Sequence, residues 1–289
     1  MNQSSLKSIT IGKTFAKALR DAARPWRPIV VHCYYMVVIH GIHAVSEALK
    51  SGARTFEYVG IARERHDQRV QRIIQDCRAS GVQVRFLPRE QLDRTANTNT
   101  HQGVIAVTSN KQYADVDTLL EQRRGEYSFL IVLDGVEDPH NLGALIRTAD
   151  GAGADGVIIP ERRAAGLTGT AVKASAGASE YLPIARVTNI SRTLDELKER
   201  NVWTIGLAER STQSYDEVDY NMHCAIVLGA EGKGLHDLVR RHCDFLVSIP
   251  MSGEVASLNV SVAGGVVMYE LARQRRAAAK GTEKAKYQK

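Results

Sequence analysis

Five short runs constrain the second half of this 289-residue chain more tightly than any other feature. They are "FLIVLDG" (129–135), "GVIIP" (156–160), "VWTIGLA" (202–208), "CAIVLGAEG" (224–232) and "FLVSIP" (245–250). A strand with one wet face alternates apolar and polar residues, and these do not. Continuous apolar runs of this length read as strands buried on both faces, the pattern of parallel sheets covered by helices. Helical stretches separate them, among them "NLGALIRTADGAG" (141–153) and "ISRTLDELKERN" (190–201). The alternation predicts a doubly wound α/β domain.

The same alternation, more weakly marked, begins at Met36. A helix over 42–50 precedes a strand over 56–62. The charged stretch 65–81 predicts a helix with Val70, Ile73 and Ile74 on one face and Gly81 as its stop. "VQVRFLP" (82–88) and "GVIAVTS" (103–109) read as further strands. The expected layout is a small α/β domain over 36–110, a polar linker over 111–127 containing a short helix, and a larger α/β domain over 128–276. No internal repeat interrupts it.

Charge is concentrated at the ends. Of the net +6, residues 1–35 carry +5 and residues 271–289 carry +6, which leaves −5 for the body between them. Basic ends attract polyanions without sequence preference, and they equally serve as solubilising tails. Residues 1–35 read as an appendage, disordered or the product of an over-long start, in which "KTFAKALRDAARPWRP" (13–28) forms a short basic helix. Residues 277–289 read as a basic tail. The apolar run 28–41 includes His32 and His40 and falls short of the ~20 residues a membrane helix needs. No cleavage site follows it, as a secretory signal would require. Cys33, Cys77, Cys224 and Cys243 form no CxxC pair, which suits reduced thiols in the cytoplasm better than a zinc site or disulfides.

Ligands of open parallel sheets bind beyond the carboxyl ends of the strands, which directs attention to three segments. These are "LDGVEDPHNLGALIRTA" (133–149), "VLGAEGKGL" (227–235) and "IPMSGEVASLNVSVAGG" (249–265). The last places polar Ser257 and Asn259 in an apolar run and follows them with two glycines, although Gly costs about 1 kcal/mol against Ala inside a helix. No GxGxxG follows the first strand of this half, and "GAEGKGL" lacks the spacing and Ser/Thr of a P-loop. A nucleotide-switch ATPase is therefore disfavoured. The glycine turn alone reads as a tight strand-to-helix connection or as a phosphate cradle.

Taken together, the three segments resemble the motifs of the SPOUT methyltransferases, in the SpoU/TrmH branch of RNA 2′-O-methyltransferases. An Asn-x₅-Arg segment, a GAEGxG turn and an IPMxGxxxSLNVSxA segment stand in the family's order over 126–275. "HGIHAVSEAL" (40–49) and "HQGVIA" (101–106) resemble the RNA-binding domain that precedes the bacterial 23S rRNA guanosine 2′-O-methyltransferases. The resemblance implies a SPOUT α/β domain with a deep trefoil knot, a rare exception to ordinary topology rules. It also implies a homodimer packed through the knot, an RNA substrate (23S rRNA first), S-adenosylmethionine as methyl donor, and no metal.

Carried over residue by residue, Gly229, Ile249 and Leu258 would contact the donor, with Met251 in the adjoining loop. Small residues there would let the backbone approach the ligand. Arg147 would stabilise the developing alkoxide, since a guanidinium pKa above ~12 suits no base. Asn141 would position the ribose and Arg147, and Glu231 would orient that arginine or an amide donor. Ser257 and Asn259 would bond the target nucleotide or the active-site loop. Gly264 and Gly265 would permit close packing at the knot, at a dimer contact, or simply between helix and sheet.

Each residue has a plainer reading. Asn141 after "DPH" suits a helix N-cap, Arg147 a surface charge, and Glu231 the decoration of a turn. Ser257 and Asn259 suit the cap and first turn of the last helix. Their joint appearance at three strand ends is what assigns them to one site. His101 and His140 read as structural or RNA-contacting. Arg63, Arg65, Arg69 and Arg72 contact phosphate or form a solvated helix face. The competing functions are a tRNA ribose methyltransferase, a resistance rRNA methylase, and a non-catalytic RNA-binding assembly protein.

Overall fold

The computed structural model describes residues 36–286; the expected appendage over 1–35 and its helix over 13–28 lie outside them. Strand β1 (Met36–His40) runs antiparallel to β4 (Val104–Ser109), and β4 runs antiparallel to β2 (Phe56–Ala62). β2 pairs in parallel with β3 (Val84–Leu87), giving the order β1-β4-β2-β3. Helices α1 (Ile42–Ser51) and α2 (Gln68–Ala79) cover one face with Val45, Leu49, Val70, Ile73, Ile74 and Cys77. Asp67 starts α2 by accepting hydrogen bonds from the backbone N–H groups of Arg69 and Val70 (3.1 and 3.3 Å). On the other face Leu92 of α3 (Arg89–Ala96) packs on Ala62 and Ile105. With only Leu92 and Ala96 apolar in two turns, that helix carried no periodic signal.

The second sheet has seven strands, all parallel, in the order β7-β6-β5-β10-β8-β11-β9. Its strands are β5 (Phe129–Asp134), β6 (Gly156–Pro160), β7 (Ile184–Val187), β8 (Trp203–Leu207), β9 (Gln213–Ser214), β10 (Cys224–Gly229) and β11 (Phe245–Ser248). Phe129, Ile131, Leu133, Ile226 and Leu228 face α5 (Pro139–Ala152) and α10 (Val260–Lys286). The alternate residues Leu130, Val132, Ala225 and Val227 face α8 (Ile190–Glu199) and α9 (Asp237–His242). Both sides of the sheet are therefore apolar, as the uninterrupted runs require. The expected strands fall within three residues of those observed. Between β6 and β7 the chain forms α6 (Gly169–Ala174) and α7 (Ala178–Tyr181), neither of which carries a clear period.

The stretch 111–127 is integrated into this second lobe. It holds α4 (Val116–Glu121), whose Leu119 is fully buried, and the Ala114 N–H donates to the Ile184 carbonyl at 2.9 Å. The C-terminal end is helical as far as Lys286. Two of its counted cations are committed. Arg273 pairs with Glu270 at 2.8 Å, and Arg275 donates to the carbonyls of Tyr220, Tyr127, Ser128 and Met222 (2.8–3.1 Å). Arg275 thereby ties α10 to the amino-terminal ends of β5 and β10.

A polar seam joins the lobes. Arg54, before β2, and Glu180, on α7, have side chains 1% and 0% exposed. Nε and Nη2 each donate to a separate carboxylate oxygen at 2.8 Å, and Nη1 donates to the Ser109 carbonyl at 3.2 Å. Beside them Lys111 Nζ donates to the carbonyls of Ser179 and Leu182. Burial, only partly opposed by Glu180, lowers its pKa to about 8. Lys173 of α6 reaches the Thr100 carbonyl at 2.7 Å. His40 is buried near it, and its Nδ1 finds no partner among the described residues. Burial first, then the Lys173 charge, lowers the His40 pKa to about 4, so the ring is neutral.

Candidate active site at the strand ends

β10 stops at Gly229 because the chain folds straight back over it. Ala230 and Gly234 exchange backbone hydrogen bonds (3.0 and 2.9 Å), with Gly232 and Gly234 in the left-handed region. A Cβ at Gly229 would lie 2.1 Å from the Gly234 carbonyl carbon and 2.3 Å from the Leu235 nitrogen. The expected reason for a small residue here was the approach of a ligand; the atoms that exclude a side chain belong to the turn itself. The far end of the turn is anchored by Asp134, the register partner of Gly229. Its buried carboxylate accepts from the His236 backbone N–H (2.8 Å) and from His236 Nδ1 (2.9 Å). Glu231 is left exposed at the tip.

The helix after β5 begins earlier than expected. Asp138 is its N-cap, accepting from the His140 N–H at 3.0 Å, and Pro139 takes the first helical position. Asn141 is therefore not the cap. It lies in the first turn, 7% exposed. Asn259, immediately before α10, performs the capping that the sequence divided between Ser257 and Asn259. Its Oδ1 accepts from the Ser261 N–H at 2.8 Å and from the Ser261 hydroxyl at 2.6 Å. Its Nδ2 donates to Asn141 Oδ1 at 3.1 Å and to a Glu231 carboxylate oxygen. Residues 118 and 28 positions apart in the chain thus meet on one amide.

Three of the five expected catalytic residues are cross-linked in this way, and two are not. Arg147 and Ser257 are exposed and bond to no described residue. Six residues at about 100° each place Arg147 roughly 120° around the helix from Asn141, so the Asn-x₅-Arg spacing does not stack the two side chains. The arrangement divides the set by chemistry: a braced trio, and two groups with free donors.

Beside the trio opens a cleft lined by the ends of β8 and β10 and by the segment leading into α10. Gly229, Ile249, Met251 and Leu258, the four residues expected to contact a donor, all line it, together with Glu231 and Ser257. Asn141, Arg147 and Asn259 stand outside the lining. Leu207 and the exposed Glu209 complete it. They follow from the rule that singled out the other segments, since 202–208 is also a strand with a carboxyl end, and that end went unread. A Cβ at Gly264 would lie 2.7 Å from Leu145 Cδ2 and 2.8 Å from Leu228 Cδ1, so the ends of those two side chains would have to shift to admit it. Gly265 has only ordinary contact with Thr148, at 3.6 Å.

The remaining candidates separate cleanly. His101 is fully buried, with Nε2 2.7 Å from Asp93 and Nδ1 accepting from the Gly103 N–H at 2.9 Å, so it shapes its loop. His140 is exposed. Arg65 pairs with Asp67 at 2.8 Å and Arg63 leans on the Phe86 carbonyl, whereas the side chains of Arg69 and Arg72 are exposed without described partners. Burial pushes the Cys77 and Cys224 thiols up to about 11 and that of Cys243 to about 12. Among the described residues no group of three His, Cys, Asp or Glu side chains gathers as a metal would require, and no helix is long and apolar enough to cross a membrane.

Residues 128–269 match the SpoU rRNA methylase family, and residues 38–114 match the RNA 2′-O ribose methyltransferase substrate-binding domain. The 23S rRNA (guanosine-2′-O-)-methyltransferase RlmB of Pasteurella multocida is 45% identical over 241 residues, 82% of this chain and 98% of the relative. This chain belongs to the SpoU rRNA methylase family. Another relative is Bacillus subtilis YacO, assigned to the TrmH family of tRNA/rRNA methyltransferases. It is 44% identical over 237 residues, 81% of this chain and 94% of its own. Among solved structures, the AdoMet-bound rRNA methyltransferase from Sinorhizobium meliloti superposes with a TM-score of 0.68 at 25% identity, covering 89% of this chain and 90% of that one. The methyltransferase AviRb from Streptomyces viridochromogenes reaches 0.71 at 24% identity, covering 84% and 91%, and speaks for the fold. The two SpoU matches divide the chain as the two sheets do.

Proposed function

We propose that this protein transfers a methyl group from S-adenosylmethionine to the ribose 2′-hydroxyl of a guanosine in 23S ribosomal RNA. The observation that carries the reading is the strand-end constellation, in which a braced Asn141–Asn259–Glu231 trio adjoins a cleft lined by the four expected donor-contact residues and leaves the Arg147 and Ser257 side chains unbonded. The RlmB relatives, matched over nearly their whole length, support the substrate.

The lining suits the donor. Glu209 and Glu231 offer carboxylates to a ligand bearing sulfonium and ammonium charges, while Leu207, Ile249 and Leu258 offer apolar surface to its adenine. When bound, S-adenosylmethionine supplies a methyl group that is already activated. The chain's task is then to orient the hydroxyl and to favour its ionised form. The Arg147 guanidinium, cationic at any working pH, stabilises negative charge developing on the 2′-oxygen. Ser257 supplies a hydrogen bond to the captured nucleotide. Arg69 and Arg72 take phosphate in the first lobe, and the 2′-hydroxyl itself distinguishes RNA from DNA. The reading includes a threaded last segment and a homodimer. Exposed Val262 and Tyr269 on the outer face of α10 support the second copy. A ribosomal RNA substrate and free thiols support a cytoplasmic enzyme.

Mapping ribose methylations in total RNA of a deletion strain tests this directly. Complementation should restore one 2′-O-methylguanosine in 23S rRNA, whereas the Arg147→Ala protein should turn over at least ~10²-fold more slowly with donor affinity nearly unchanged. Loss of a tRNA methyl group instead would overturn the substrate, and near-normal turnover by Arg147→Ala would remove that residue from the chemistry.

A further inference from the structure

The loop between β6 and α6, residues 161–168, lies at the carboxyl end of β6 and joins the two lobes. On one side its Ala165 N–H donates to the Val136 carbonyl at 2.8 Å, in the segment that leads into α5 and Asn141. On the other, α6 starts against the first sheet, where a Cβ at Gly169 would lie 2.5 Å from the Val38 carbonyl oxygen. Arg186 holds the start of the loop, donating to the Glu161 carbonyl at 2.9 Å. Arg162 and Arg163 follow, both exposed, and neither side chain bonds to a described residue. Glu161 is their neighbour in the chain and Glu137 adjoins the Val136 carbonyl, yet neither carboxylate pairs with them. Arg163 is also strained. Its φ of +55° lies in the left-handed region, where glycine is free and an L side chain is crowded. Of the other non-glycine residues with this geometry, Asn97 and Asn201 belong to a type that tolerates it, and Ala176 carries only a methyl group. Gln102 uses its side chain, accepting from the Ile42 N–H at 3.2 Å. Within the described chain the Arg163 side chain does nothing comparable. A strained residue with an idle side chain at a strand end points to a ligand outside the molecule, and a guanidinium fits phosphate through paired N–H donors. We propose that Arg162 and Arg163 clamp backbone phosphates of the RNA where it passes from the first lobe to the cleft. The clamp rests on the RNA-methylating reading above and adds contacts outside both the strand-end motifs and the arginines of the first lobe.

Filter binding of the full chain to a 23S rRNA transcript, titrated over roughly 50–300 mM KCl, reads the clamp directly. Each phosphate contact contributes about 0.7–0.9 to the slope of log affinity against log salt, roughly a 5- to 8-fold effect near 0.1 M. Arg162→Gln and Arg163→Gln should each weaken binding by about that factor and flatten the slope by about one, with S-adenosylmethionine affinity unchanged. Arg163→Lys, which retains the charge, should keep the slope. Arg163→Gly relieves the backbone, so it should melt at or above the wild-type temperature while losing the same share of the slope. The control is Arg241→Gln, an exposed arginine just before β11 and thus at the opposite end of the sheet, which should change neither quantity. An unchanged slope in the protein carrying both Arg162→Gln and Arg163→Gln, or an equal loss in Arg241→Gln, would overturn the clamp. A lower melting temperature in Arg163→Gly would also overturn it, by giving the side chain a place in the fold. If the slope falls as expected while the wild-type protein transfers no methyl group to that RNA, the catalytic reading fails and the clamp stands.

Discussion

Glu180 and Glu231 are both carboxylates that receive nitrogen donors from distant parts of the chain. Glu180 is sealed in the seam between the lobes, where both oxygens are taken by an arginine 126 residues away. Glu231 stands in water at the tip of a glycine turn and receives one amide. Burial accounts for the contrast. An unpaired charge in the interior costs several kcal/mol, so the Arg54 and Glu180 charges must be matched. At the strand ends solvent tolerates half-paired groups, and Arg147 and Ser257 can wait for a ligand without penalty. The matched pair joins the lobes; the groups left open are the ones proposed to meet the substrate.

Substitutions can break that contrast. The largest effect belongs to the seam: Glu180→Ala leaves Arg54 buried without its partner and should cost about 3–5 kcal/mol in denaturant unfolding. The paired replacement Arg54→Met with Glu180→Leu should recover most of that loss. If the single variant unfolds like the wild type, the seam does not support the fold. Next comes Lys111. Its folded pKa of about 8 lies below the ordinary 10.5, so between these values the unfolded chain holds more protons and stability rises with pH. The rise should approach roughly 3 kcal/mol across that window, vanish below about pH 8, and be absent in Lys111→Met. Smallest in stability is Asn141→Ala, expected to cost only about 1 kcal/mol while slowing methyl transfer markedly. An unfolding cost as large as that of Glu180→Ala would show that the trio is part of the frame and would erase the distinction.

What the sequence made legible follows the reach of local patterns. The β5, β6, β8, β10 and β11 strands were readable because burial on both faces leaves only Asp134, Thr204 and Ser248 as polar residues among them. The cleft lining was readable because ligands gather at strand ends. The plainer reading of Asn141, a helix cap, fails because "DPH" contains a better one, Asp138 before a proline at the first helical position. Arg275 was counted only as part of the basic C-terminal end over 271–289, because nothing nearby in the chain announces the four carbonyls it meets. Arg54 and Glu180 were invisible for the same reason: their pairing is decided by how two lobes dock, and no spacing within either lobe encodes it.

Gly229 lies directly beneath the closed end of the glycine turn. It carries no functional group, and no reagent could modify it, yet an added methyl there would shove the Gly234 carbonyl outward. Because the Glu231 loop pivots on that point, the displacement would carry the carboxylate off the Asn259 amide. An engineer reshaping this cleft for another donor must leave that one vacancy alone, and must keep Leu207 and Ile249 apolar for the core they pack against. Here the working part is an atom that was never there.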